Sequence, residues 1–268
     1  MTAQDRSVWS EALGEHLDVR VHVLGPAPTH AVYAWHGRGA SAREWDDVVP
    51  AVATLVASGE LPSLVLVAPE APWSDGGSWY VDSRYTGTPA GRPVETALTL
   101  DLVAAVEATH GVTASPEHRV VAGFSMGGAG AFRHALARPD VFGAGVALSP
   151  PLWHPLPPPG SSARAHGAFG RGTQLFVDEI YRARFGRLLD AADSRSQRPR
   201  LALGVGRDDE LAGVVAAAHD RCLAAGVDSA LTLWPGGHDW AVWEPAFVQG
   251  LCRVLRPAEL VTTQEVVR

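Results

Sequence analysis

Ser125 stands at the centre of Gly123-Phe124-Ser125-Met126-Gly127, between the apolar run 119–122 and the small-residue stretch 128–132. A serine hydroxyl clears the backbone on a sharp strand-to-helix turn, and glycines two positions to either side relieve the crowding that such a turn creates. Ser125 is therefore the candidate nucleophile. The hydroxyl is a weak nucleophile at neutral pH until an imidazole accepts its proton and a carboxylate orients that imidazole. Two downstream turns, each straight after an apolar run, offer those groups. Gly206-Arg207-Asp208-Asp209-Glu210 follows the run 201–205, and Pro235-Gly236-Gly237-His238-Asp239-Trp240 follows 231–234. Among eleven histidines, His238 has the flexible turn that can swing an imidazole over Ser125. Asp209 is the chosen acid. Asp208 stays open as the alternative, because one of these carboxylates could instead cap the helix that begins near Glu210.

Acyl transfer also needs two amide donors already in place for the oxyanion. Met126 supplies one, and Arg38 in Tyr33-Ala34-Trp35-His36-Gly37-Arg38-Gly39 supplies the other, with His36 and Gly37 beside the substrate. Trp73, Trp79 and Trp153 lie in loop-like stretches and are candidates to line a substrate pocket with Trp240, while Asp75 and Ser78 add polar contacts. Gly204-x-Gly206-x-x-Asp209 lacks the third glycine of a dinucleotide loop, and neither a Walker sequence nor H-E-x-x-H occurs. No cofactor and no metal are expected.

These groups need a frame of strand ends. Apolar, β-branched runs recur at 18–24, 30–35, 63–68, 119–123, 143–148, 200–205 and 229–234, and helical patterns fill 44–57, 94–109, 127–137, 176–192, 210–225 and 240–255. Strand and helix alternate from His30 onward, which predicts an α/β fold with a mostly parallel central sheet, helices on both faces and an antiparallel N-terminal edge. One domain over residues 1–268 accounts for this pattern. The stretch 149–173, rich in proline, reads as an irregular loop on the carboxyl edge and hence as an active-site wall. Residues 261–268 read as a frayed tail.

Of 268 residues, 46% are hydrophobic, enough for a large buried core, and the net charge of −7 comes from scattered Arg, Asp and Glu. That distribution argues against nucleic-acid binding. Cys222 and Cys252 fall in helical patterns outside any C-x-x-C or Cys/His cluster. Residues 1–15 lack the apolar core of an export signal, and no run of about 18 apolar residues could span a bilayer. A cytoplasmic protein without membrane insertion is expected, and its oligomeric state stays open.

His36-Gly37, Gly123-Phe124-Ser125-Met126-Gly127-Gly128, Gly206-Arg207-Asp208-Asp209 and Gly237-His238 together resemble the putative-esterase family of α/β-hydrolases, which includes esterase D and antigen 85. The resemblance covers roughly residues 9–255. It implies an α/β-hydrolase fold, an acid three residues after Gly206 and thus at Asp209, and a histidine region in which His238, Trp240 and Trp243 are similar to that of antigen 85. The implied activity is that of a serine carboxylesterase acting on a small-molecule ester through an acyl-enzyme. Acyl transfer to an alcohol, amine or thiol is the alternative, and a silent hydrolase fold that only binds ligands is a third reading.

Overall fold

The computed structural model describes residues 3–73, 77–112, 114–190 and 198–255. Its strands are β1 (Gln4–Ser10), β2 (Glu15–Leu24), β3 (His30–Trp35), β4 (Leu64–Pro69), β5 (Arg84–Tyr85), β6 (Arg119–Phe124), β7 (Ala144–Leu148), β8 (Arg171–Gly172), β9 (Arg200–Gly206) and β10 (Ser229–Trp234). Eight of them form one sheet in the order β1-β2-β4-β3-β6-β7-β9-β10. The six strands from β4 to β10 run parallel, and β1 and β2 add an antiparallel edge.

The central strands are buried on both faces, so their residues alternate between two apolar layers rather than between core and water. In β3, Ala31, Tyr33 and Trp35 enter one layer with α3 (Leu102–His110), α4 (Met126–Ala137) and α6 (Ala212–Ala224). Val32 and Ala34 enter the other layer with α1 (Val49–Ala57) and α7 (Trp240–Leu255). This sheet, covered from both sides, has the α/β-hydrolase architecture.

Local differences from the sequence expectation have local causes. β1 is polar and exposed over most of its length, so it carries no apolar signal; its register against β2 makes it a strand. The pattern at 44–57 divides into a 3₁₀ segment (Ala42–Val48) and α1, whose first turn holds Pro50, a residue with no N–H to donate. The pattern at 94–109 forms α2 (Val94–Thr96), a π-turn (Ala97–Asp101) and α3. The helix expected over 176–192 shortens to α5 (Asp178–Tyr181) and a π-turn (Arg182–Gly186), while Phe176 bridges to Phe169 instead. Residues 191 and 192, Asp75 and the tail 261–268 lie outside the described residues. Within 149–173, a 3₁₀ turn (Ser162–Arg164) and β8, paired in parallel with β5, interrupt the irregular course.

At the junction of β6 with α4 the backbones pack tightly. A Cβ on Gly123 would overlap the Gly127 carbonyl, one on Gly127 would overlap the Trp35 carbonyl, and one on Gly128 would come 2.7 Å from the Leu148 carbonyl oxygen. Backbone meets backbone here because no side chain intervenes. Gly127→Ala must therefore push β3 away from α4, and overpacking of this kind costs about 1–3 kcal/mol or more. A urea midpoint for Gly127→Ala equal to that of the unaltered protein would contradict this account.

Candidate active site

Ser125 caps the N-terminus of α4 with φ +53° and ψ −123°, a conformation that L-residues rarely adopt. Its N–H donates to the Leu148 carbonyl at 2.8 Å, and its own carbonyl accepts from Ala129 at 3.0 Å, so the turn is pinned between β7 and the helix. The side chain projects at the carboxyl edge of the sheet, where α/β folds leave room for ligands.

His238 and Asp209 arrive there from the ends of β10 and β9. Nε2 of His238 lies 3.0 Å from Ser125 Oγ, and Nδ1 lies 2.8 Å from Asp209 Oδ2. The second Asp209 oxygen, Oδ1, accepts the Leu211 N–H at 2.9 Å. Asp209 is buried, whereas the adjacent Asp208 is exposed. A carboxylate held at both oxygens away from water fixes the imidazole tautomer, with the proton on Nδ1 and the lone pair of Nε2 toward the serine. The three residue types expected from the sequence thus form one hydrogen-bonded chain.

The turn after β3 lies against this chain. Gly37 approaches so closely that a Cβ there would sit 3.4 Å from Ser125 Cβ and 2.8 Å from the Phe124 ring. Arg38, the next residue, is exposed. Met126, as the first residue of α4, has an N–H among those that a helix leaves without an intrahelical acceptor. His36 is 1% exposed, and its ring is committed to the backbone. Nε2 accepts the Ala71 N–H at 2.9 Å, which requires the proton on Nδ1, and Nδ1 donates to the Gly37 carbonyl at 2.8 Å. The His36 carbonyl accepts the Tyr80 hydroxyl at 2.8 Å. His36 therefore holds the turn, and both its ring nitrogens are already used.

Among the aromatic candidates, Trp79 is 1% exposed and packs on Trp153 and Phe169 with ring centres 5.9 Å away in each case. Trp73 and Trp153 are half-buried against the same layer. Trp240 lies on the other side, with its indole N–H donated to Glu44 at 3.0 Å and its ring 4.9 Å from Phe124. Ser78 is buried and its hydroxyl accepts the Tyr80 N–H at 3.3 Å, so it serves its own turn. The sequence reading missed the part played by Tyr80, whose only signal was its place beside Trp79. His134, on α4, is fully buried, taking the Trp35 indole N–H on Nδ1 at 3.2 Å and donating from Nε2 to the Tyr80 carbonyl at 2.8 Å. Trp35 and Tyr80 stack at 5.7 Å, so this layer underpins the turn that His36 holds.

A groove of about 470 Å³ runs along the antiparallel edge, lined in part by Asp5, Arg20, Arg43 and Glu70. Arg20 pairs with Asp5 and Asp46, and Arg43 with Asp5. These charges answer one another and include none of the residues of the Ser125 chain. Among the described residues no group of three or more His, Cys, Asp or Glu is placed to hold a metal, and no helix is long and apolar enough to cross a membrane.

The family model described as putative esterase matches residues 10–254. Iron(III) salmochelin esterase of Escherichia coli O6:H1 is 32% identical over 133 residues, which are 49% of this chain and 29% of that protein. The chain thus matches less than a third of that relative's length. A ferulic acid esterase structure superposes with a TM-score of 0.75 at 22% identity, covering 95% of this chain and 97% of the other. The fluorophosphonate-binding serine hydrolase FphF of Staphylococcus aureus gives 0.73 at 18% identity over 96% and 99%. At these identities the two structures speak for the fold.

Burial lowers the pKa of His134 from 6.5 to about 4, against the pull of Glu95, and burial lowers that of His36 as well. The fold therefore prefers both rings neutral. Their contribution is fully present above pH 6.5 and is lost as the pH falls toward 4, when the unfolded chain gains protons that the folded one resists. For His134 the loss is on the order of 3 kcal/mol. Urea midpoints measured from pH 7 to 4.5 should fall, and His134→Gln, which does not titrate, should make the fall shallower; an unchanged slope would remove His134 from this role.

Proposed function

The chain belongs to the putative esterase family, and from that premise we propose that it hydrolyses a small-molecule carboxylic ester, with Ser125 as nucleophile, His238 as general base and acid, and Asp209 as the group that orients His238. The observation that carries the reading is the unbroken chain from Ser125 Oγ through the imidazole to the buried carboxylate, at 3.0 Å and 2.8 Å.

Ser125 Oγ attacks the ester carbonyl while its proton passes to His238 Nε2. The imidazolium so formed keeps its Nδ1–H on Asp209, whose negative charge offsets it. The carbonyl oxygen, now an anion, lies between the amides of Met126 and Arg38, at the helix N-terminus where the macrodipole favours negative charge. The tetrahedral intermediate collapses, the C–O bond to the alcohol breaks, and His238 returns its proton to the departing oxygen. Water then repeats the sequence on the acyl-enzyme and frees the acid. None of these steps calls on a metal or cofactor.

Substrate contacts fall to the rings that retain exposed surface. Trp73 and Trp153 form one wall with the irregular stretch 149–173, and Trp240 borders the other side. Trp79 backs Trp153 from beneath, and His36 with Gly37 holds the floor that Arg38 extends. The site supports a single α/β domain as the working unit. The esters named for the salmochelin and ferulic acid enzymes are the first to try, since they belong to the similar proteins.

A fluorophosphonate should form one covalent adduct per chain on Ser125. The same adduct should be absent in Ser125→Ala and at least about 10²-fold slower to form in His238→Ala or Asp209→Asn, because the serine then lacks its base or the correct tautomer. Ester turnover that survives Ser125→Ala, or a folded protein that takes up no adduct, would sink the proposal and favour the silent fold.

A further inference from the structure

We propose that Trp243 is a positioning residue for the reaction, fixing the plane of the His238 imidazole relative to Ser125; this rests on the reading of Ser125, His238 and Asp209 as the reacting chain.

His238 needs such support. It follows Gly236, at φ +117°, and Gly237, so its backbone is held by neighbours with little conformational preference of their own. Its side chain is 36% exposed. Its two hydrogen bonds run from Nδ1 to Asp209 and from Nε2 to Ser125. Hydrogen bonds tolerate a range of angles, so two of them leave the imidazole latitude to tilt. A packing contact on the ring narrows that latitude.

Trp243 supplies it. Its indole lies at 86° to the imidazole with ring centres 4.9 Å apart, the edge arrangement in which aromatic quadrupoles attract. The indole is itself held twice. It stacks on Phe124 at 4.8 Å and 25°, and its Nε1–H donates to the buried Ser149 Oγ at 3.0 Å. Phe124 directly precedes Ser125. Ser149, at φ +44°, directly follows Leu148, whose carbonyl receives the Ser125 N–H. The ring that sets the tilt of the base is therefore anchored on the neighbours of both backbone groups that place the nucleophile. Trp243 is buried, and the first turn of α7 fixes its backbone through its N–H bond to the Asp239 carbonyl at 3.0 Å.

The test compares Trp243→Leu, Trp243→Phe and Ser149→Ala with the unaltered protein, using a short-chain p-nitrophenyl ester and fluorophosphonate labelling, with each rate divided by the folded fraction from circular dichroism. Trp243→Leu should lower kcat about 10- to 100-fold with KM within about twofold, and labelling of Ser125 should slow in parallel, since misplacing a reacting group costs rate more than binding. Trp243→Phe, which keeps a ring beside His238, should recover kcat to within about fivefold of the unaltered protein. Ser149→Ala removes only the acceptor of the indole N–H and should lower kcat about three- to tenfold, so it tests the idea even if Trp243→Leu does not fold. Unchanged kcat in a folded Ser149→Ala or Trp243→Leu, a loss confined to KM, or equal losses in the Phe and Leu variants would overturn the proposal. Turnover persisting in Ser125→Ala would instead overturn the esterase reading, which separates the two failures.

Discussion

The close approach of three backbones, at the end of β3, the β6 elbow and the first turn of α4, is the constraint on which the site depends. Gly123, Gly127 and Gly128 let carbonyls of neighbouring segments stand where side chains would otherwise be. The contact forces Ser125 into its positive-φ conformation and brings the turn at Gly37 within van der Waals reach of the serine. It also directs the helix N-terminus at the space above the hydroxyl. Strain at a single residue of this kind costs on the order of 1–3 kcal/mol, and a large apolar sheet buried on both sides can hold it.

Around that contact the polar groups are kept in one state by burial. His36 and His134 both have a ring nitrogen accepting an N–H, from Ala71 and from Trp35, and a proton on that nitrogen would turn each bond into a clash of donors. Desolvation favours the same neutral form. The turn beside Ser125 thus rests on acceptors that water cannot easily protonate. The aromatic rings divide by side. Trp35, Tyr80, Trp79 and Trp153 support the turn and the irregular stretch 149–173, whereas Trp45, Phe124, Trp240 and Trp243 tie α7 to β6.

Much of this was legible in the sequence because chemistry limits the choices. A serine flanked by glycines after an apolar run, and a histidine and an acid after later runs, leave few ways to fold and few ways to react. The central strands were legible because burial on both faces makes them continuously apolar. β1 was not, since a polar edge strand owes its form to its partner rather than to its own residues. Spacing favours Asp209 but leaves Asp208 open as the alternative, and the structure buries the first at the end of β9 while the second is exposed. The bond from Trp243 to Ser149 joins positions 94 residues apart, and no local pattern announces it. Nor does sequence reveal that both nitrogens of His36 are taken by the backbone.

The glycine junction also bears on how this fold can diversify over evolutionary time. Where main chain packs on main chain, an alternative side chain has no vacant space to occupy, so variation at the elbow has almost nowhere to go. The walls proposed for the site come from distant stretches of chain, 70–73 with 77–80, 149–173 and the start of α7, each secured by its own rings and hydrogen bonds. These stretches can be lengthened, shortened or rewritten one at a time without disturbing the serine's backbone. Inherited change should accordingly collect in what the site admits, while Ser125 and its turn stay the same.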